Sequence, residues 1–324
     1  MASITNIQLK VTNFTKVIKM HYTPVLVIIF NRPEATKQLF ERLAIIQPQK
    51  LYIIADAPRA GVEQDVVLCN ETRAIFKQID WKCDIKTKYN TKNMGCDATV
   101  ISGINWFFEH EEMGIILEDD CIPSISFFYF CEKMLEIYKT NPDIALICGT
   151  NYLDRPLSKK YDYYIGDFMH TWGWATWKHI WDSVDWSKRF SSAAITDKLL
   201  SCFHNKSFAE IMHNNIINSY ACSPVNWDAV FFINNIFENK KGIIPNINMI
   251  SNVGFTGTHF NNSSSKLLNT PFQEFEQVIT FKGTDLNPKD LKKLVDNYVE
   301  KNQYLTIRDK LYIFRKSISK YLTQ

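Results

Sequence analysis

Ile115-Ile116-Leu117-Glu118-Asp119-Asp120-Cys121-Ile122-Pro123 is the stretch on which the reading of this chain turns. An apolar run stops on three consecutive carboxylates, as a buried strand does when it delivers acidic groups to the carboxyl edge of a sheet. Adjacent carboxylates repel one another, and that cost stands unless a cation or hydrogen-bond donors offset the charge. Hard divalent cations such as Mg2+ or Mn2+ take oxygen ligands and complete their shell with a substrate's phosphates. Two readings stand: a metal–diphosphate site, or a solvated acidic turn.

Outward from this stretch, strand and helix signals alternate. Pro24–Phe30 is a near-continuous apolar run with β-branched residues, as in a strand covered on both faces. Asn31-Arg32-Pro33 breaks it, and Pro33 suits the first turn of a helix through about Ile46. Strands are predicted at Leu51–Ala55, Asp84–Tyr89, Met113–Leu117 and Ile144–Cys148, and helices at Gln64–Ile79, Ala98–Glu109 and Ser124–Lys139. Such alternation argues for an α/β fold, a parallel or mostly parallel sheet with helices on both faces. Ligands of such sheets bind beyond the carboxyl ends of the strands. Asn31, Arg32, Asp56, Arg59, Asn93, Gly95 and Glu118, Asp119 and Asp120 all follow strand ends. No G-x-G-x-x-G follows the first strand and no G-x-x-x-x-G-K-[ST] occurs, which argues against a dehydrogenase and a P-loop enzyme.

The second half differs. Residues 149–167 read as a polar, Tyr-rich connection. Five of the eight Trp fall between Trp172 and Trp186, Asn226-Trp227-Asp228 opens an apolar helix through about Phe237, and Gly254, Gly257 and His259 follow. The 324 residues, 46% hydrophobic, suffice for one large domain, and a net charge of +3 gives no sign of a nucleic-acid partner. The eight cysteines form no C-x-x-C pair and several lie in apolar runs, so they are expected to be reduced, in a cytoplasmic protein. No apolar stretch reaches the roughly 18 residues needed to span a bilayer.

Phe30-Asn31-Arg32-Pro33, Asp56-Ala57-Pro58-Arg59, Asn93-Met94-Gly95-Cys96, Leu117-Glu118-Asp119-Asp120-Cys121-Ile122-Pro123 and Thr171-Trp172-Gly173-Trp174-Ala175-Thr176-Trp177 occur in that order. Together they resemble the bacterial nucleotide-diphospho-sugar transferases labelled "hemolytic protein HlpA-like", and more distantly the N-acetylglucosaminyltransferase I type. The resemblance spans about residues 22–260. It implies a GT-A (Rossmann-like) fold, a divalent metal (Mn2+ or Mg2+), a nucleotide-sugar donor with uridine as the default base, and inverting transfer to a saccharide or glycoconjugate hydroxyl. It also implies a donor half at 22–150 and an acceptor half at 151–285 of one main domain. No assignment carries over beyond about residue 260; from the residues themselves, the polar, weakly patterned 1–21 is expected to be a poorly ordered leader and 286–324 a basic helical extension.

By the same resemblance Asp120 is the expected metal ligand, with Glu118 and Asp119 holding sugar hydroxyls or orienting the metal shell. Asp56 would then stand against the nucleobase or ribose, and His259 would complete the metal shell; a turn-forming Asp and a surface His are the competing readings. Arg32 and Arg59 suit charge-assisted bonds to a diphosphate, or surface ion pairs. Asn93 and Gly95 shape a loop that approaches the donor, or a plain turn. Asp228, partly desolvated beside Trp227, suits the general base, or only favours the first turn of a helix for which Ser223 and Asn226 look like cap residues; Asp182 and Asp185 stand in reserve. Trp172, Trp174 and Trp177 form a sugar-stacking platform with Gly173 between them, or two of the three are core.

Residues 301–324 carry six basic residues against Asp309, with Leu305, Leu311, Phe314, Ile318 and Leu322 on one helical stripe. That suits peripheral contact with an anionic membrane, as a lipid-linked acceptor would require, or a terminal helix docked on the domain. Two other functions stay open. A nucleotide-sugar-forming nucleotidyltransferase would want a glycine- and basic-rich loop where Asn31-Arg32-Pro33-Glu34 stands, and a carbohydrate-binding protein would not need the carboxylates.

Overall fold

A computed structural model of the protein describes residues 22–223, 225–254, 266–275 and 281–302. His259, the leader and the basic stripe beyond residue 302 lie outside the described residues. The first half alternates β1 (Val25–Ile29), α1 (Pro33–Ile46), β2 (Lys50–Ala55), α2 (Glu63–Ile75), β3 (Asp84–Tyr89), α3 (Cys96–Phe108), β4 (Met113–Glu118), the short β5 (Cys121–Pro123), α4 (Ile125–Tyr138) and β6 (Ile144–Cys148). Then come β7 (Tyr163–Gly166), β8 (Trp174–Trp177), α5 (Lys178–Asp182), α6 (Ser192–Phe203), α7 (Lys206–Tyr220), α8 (Trp227–Phe237), β9 (Lys241–Pro245), β10 (Ile250–Asn252), β11 (Gly283–Asp285) and α9 (Pro288–Asn302).

One mixed, mostly parallel sheet of nine strands runs β11-β7-β9-β6-β8-β4-β1-β2-β3. The central strands β1, β4 and β6 are the continuous apolar runs, and their interiors are buried, as expected of strands covered on both faces. The helices pack in two sets, α1 with α2 and α4, and α3, α6, α7, α8 and α9 through one another. The sheet joins residues 22–150 to 151–285, because β8 lies antiparallel between β4 and β6.

The segment read as a polar connection contains β7, antiparallel to β9. Its Tyr163 and Tyr164 are buried, so tyrosines that suggested a surface loop are core. Trp174 and Trp177 are likewise core residues of β8. Trp174 is 1% exposed and stacks on Trp227 at 5.7 Å and 21°, so two of the three platform tryptophans are core. All eight cysteines are free. Among the described residues no helix is long and apolar enough to cross a membrane.

Candidate functional site

Register brings the strand ends together. Val27 of β1 faces Leu117 and Ile28 faces Glu118, while Ile29 faces Ala55 and Ala55 faces Tyr89. The loops that leave β1, β2, β3 and β4 therefore rise from one edge, around a cleft of about 430 Å³. Arg32, Asp56, Arg59, Asn93, Gly95, Glu118, Asp119, Asp120, Trp172 and Asp228 line it; Asn31, Gly173 and Trp174 do not.

The carboxylates form its floor. The Asp119 backbone N–H donates to Ile28 O at 3.0 Å, and its Oδ2 accepts from the Phe30 N–H at 3.0 Å. Arg32, from the turn after β1, donates through Nη1 to Asp120 Oδ2 and lies 3.3 Å from Asp119 Oδ1. Burial pushes the Glu118 carboxyl above the usual range, and the charge of Asp120 pushes it further. Burial raises Asp119 as well, against the pull of Arg32. Burial opposes the Arg32 charge, but the fields of Asp119, Asp120 and Glu118 outweigh it and hold the guanidinium cationic. Arg32 is thus the cation that faces Asp119 and Asp120 at the end of β4.

Asp120 is also gripped from β10. The antiparallel β5–β10 ribbon sets Asn252 opposite Cys121, and Asn252 Nδ2 donates to Asp120 Oδ1 at 3.3 Å. A Cβ on Gly254 would collide with Asp120 Oδ2, so glycine lets the backbone pass beside this carboxylate. Asn252 carries no sequence signal, because a three-residue ribbon strand has no periodicity.

Two further carboxylates hold the rim. Asp56 Oδ1 accepts from Ala57 N–H at 2.9 Å, Asn90 Nδ2 at 3.0 Å and Met94 N–H at 3.0 Å. Its Oδ2 accepts from Asn93 Nδ2 and Gly95 N–H, both at 2.9 Å. Asp65, at the start of α2 and not singled out in the sequence, accepts from Asn31 Nδ2 at 2.8 Å and from Arg59 Nε at 2.5 Å and Nη2 at 2.9 Å. Arg59 therefore makes a fork-like ion pair and lines the cleft as well.

Asp228, which also lines the cleft, sits in the first turn of α8 and is exposed, not desolvated as the neighbouring Trp227 had suggested. Asn226 occupies the N-cap position without a side-chain cap. The cap comes instead from Asp97 of α3, whose Oδ1 accepts from the Trp227 N–H at 3.0 Å. Trp172 is half-buried, edge-on to Tyr152 at 5.5 Å. Gly173 has φ +60 and packs against Ile250. Asp185 accepts from Ser187, and neither it nor Asp182 lines the cleft.

Among the described residues no three His, Cys, Asp or Glu side chains form a ready cation cage. The donor set still fits an ion of the Mg2+ type, which is held by one or two carboxylates and completes its shell with water and substrate phosphates. Asp120, with Asp119 beside it, offers such oxygens, next to an arginine suited to phosphate.

No family model and no curated protein matches this sequence, so the HlpA-like resemblance rests on the quoted motifs alone. Among solved structures, HddC from Yersinia pseudotuberculosis is 11% identical over 52% of this chain and 87% of its own, with a TM-score of 0.31. A second structure of it, complexed with GMP-PN, scores 0.32 at 10% identity over 52% and 87%. The 4-diphosphocytidyl-2C-methyl-D-erythritol synthase from Anaerococcus prevotii is 10% identical over 57% and 84%, with a TM-score of 0.32. The inositol-1-phosphate CTP transferase from T. maritima is 10% identical over 56% and 83%, at 0.31. At these scores the likeness bears on no functional argument.

Proposed function

We propose that the cleft binds a nucleotide-sugar together with a divalent cation and transfers the glycosyl group to an acceptor hydroxyl. The observation that supports this most is the floor itself: Glu118, Asp119 and Asp120 held at one strand end with Arg32 across them, and a further carboxylate, Asp228, lining the same cleft. Asp120, with Asp119, would hold the cation, whose contribution is to neutralise charge on a departing diphosphate. Arg32 would release its carboxylates and turn to the phosphates, for which a guanidinium is well matched. Asp228 would take the acceptor proton; its exposure leaves it open to an incoming hydroxyl. Trp172 would face the sugar.

Nucleotidyl transfer to a sugar phosphate is the second reading. It too uses acidic oxygens at a strand end, and Glu118, Asp119 and Asp120 would supply them. The turn Asn31-Arg32-Pro33-Glu34 supplies neither the glycines nor the basic run that such chemistry wants around a triphosphate.

One experiment separates the two. The protein is incubated with Mn2+ and either a panel of UDP-, GDP-, dTDP- and CMP-sugars or nucleoside triphosphates with sugar 1-phosphates. Release of nucleoside phosphate from a nucleotide-sugar supports glycosyl transfer. Pyrophosphate release overturns it in favour of nucleotidyl transfer.

A further inference from the structure

Asp56 ends β2, where the motif resemblance puts an acid against the nucleobase. Its carboxylate is 4% exposed and both oxygens are engaged by donors: the backbone N–H groups of Ala57, Met94 and Gly95, and the side-chain amides of Asn90 and Asn93. A carboxylate has about four lone-pair sites. Five donors leave this one no capacity to accept from a base.

The donors also fix the neighbouring side chain. Asn93 Nδ2 lies 2.9 Å from Asp56 Oδ2 and 2.7 Å from Ala57 O, both acceptors. That pair settles which end of the amide is which, because an oxygen facing two acceptors would be repelled. Asn93 Oδ1 is therefore left over on a residue that lines the cleft, with no hydrogen-bond partner among the described residues.

We propose that Asp56 is a positioning residue that holds the Asn93–Gly95 turn so that Asn93 Oδ1 accepts from a ring N–H of the nucleobase. The inference rests on the nucleotide reading above. It predicts a base that carries an N–H between or beside carbonyl groups, as uracil, thymine and guanine do. Cytosine presents a bare ring nitrogen at that edge and would meet Asn93 acceptor to acceptor. Gly95, at φ +82, completes the turn and gives its N–H to the same carboxylate.

The test uses the full chain, with UDP, dTDP, GDP and CDP as probes in the presence of Mn2+. Calorimetry gives the Kd of each for wild type, D56N and N93A, and hydrogen exchange follows the Met94 and Gly95 amides. In D56N an amide –NH2 replaces one acceptor and faces donors, so both amides should exchange faster and UDP affinity should fall by about tenfold or more. N93A keeps the backbone part of the clamp and should lose the discrimination of UDP over CDP. Weaker UDP binding in D56N with unchanged amide exchange would overturn the proposal in favour of direct contact. So would retained discrimination in N93A. If wild type binds none of the four, the nucleotide reading fails and base recognition with it; slower-than-predicted exchange in D56N would separately refute the clamp.

Discussion

Arg32 donates through Nη1 to Asp120 Oδ2 and lies 3.3 Å from Asp119 Oδ1, so the turn after β1 supplies the cation for the acids that end β4. Side chains 88 positions apart meet because β1 and β4 are parallel neighbours in register. A divalent ion bound at Asp120 must compete with this arginine.

Arg32→Ala follows directly. Removing one partner of a mostly buried pair leaves an uncompensated charge, at a cost of about 3 kcal/mol or more. Metal-free R32A should therefore melt well below wild type, and Mn2+ should raise its Tm by more than it raises that of wild type. An Mn2+ effect equal in the two proteins, by differential scanning fluorimetry, would show that arginine and metal do not share the carboxylates.

Gly254→Ala tests the grip on Asp120 from β10. The added methyl meets Asp120 Oδ2 and comes 3.0 Å from Asn252 Oδ1, so the carboxylate must turn. Mn2+ affinity should drop by about tenfold or more, since ligand orientation carries much of metal affinity. Unchanged Mn2+ affinity by calorimetry would place the ion elsewhere.

Asp228→Asn separates base from binding group. The amide keeps the shape but cannot take a proton, so kcat should fall by about 10²-fold or more with the donor KM within about twofold. A raised KM at unchanged kcat would make Asp228 a binding residue.

His170 provides a pH prediction. Its ring stacks on Tyr298 at 5.1 Å and meets Phe168 and Tyr152, and its Nε2 is enclosed without a hydrogen-bond partner among the described residues. Burial pushes its pKa down to about 3. The unfolded chain protonates this histidine near its ordinary value of about 6.5 and the folded chain does not, so stability is lost as pH falls below about 6.5, by at most about 1.4 kcal/mol per pH unit. The raised carboxyls of Glu118 and Asp119 act with the opposite sign, so the comparison is with His170→Leu, in which their contribution cancels. Chemical denaturation from pH 7.5 to 5 should show wild type losing stability relative to H170L; parallel curves would contradict the burial account.

The strands that build the site were legible because their chemistry is local. Val25–Ile29, Met113–Glu118 and Ile144–Cys148 are apolar runs that stop on polar turns, and the structure sets their ends within a residue or so of the predicted ones. β8 was not legible as an inserted antiparallel strand, because pairing direction is decided by distant neighbours and its tryptophans read equally well as a platform. The partners of Asp56 were hidden for a related reason. Most are backbone N–H groups and amides of another loop, and a sequence shows that an acid ends a strand without showing what donates to it. Asp65, Asp97 and Asn252 carry no motif, and each is tied to the site by a contact at least 34 positions away in the chain.

The central claim is that Asp120 holds a divalent cation shared with a nucleotide diphosphate. Its most direct test is Mn2+ binding followed by electron paramagnetic resonance, with and without UDP, in wild type and D120A. The account predicts that UDP strengthens Mn2+ binding in wild type and that D120A loses this coupling while keeping its fold. Mn2+ binding that D120A and UDP both leave unchanged would contradict it.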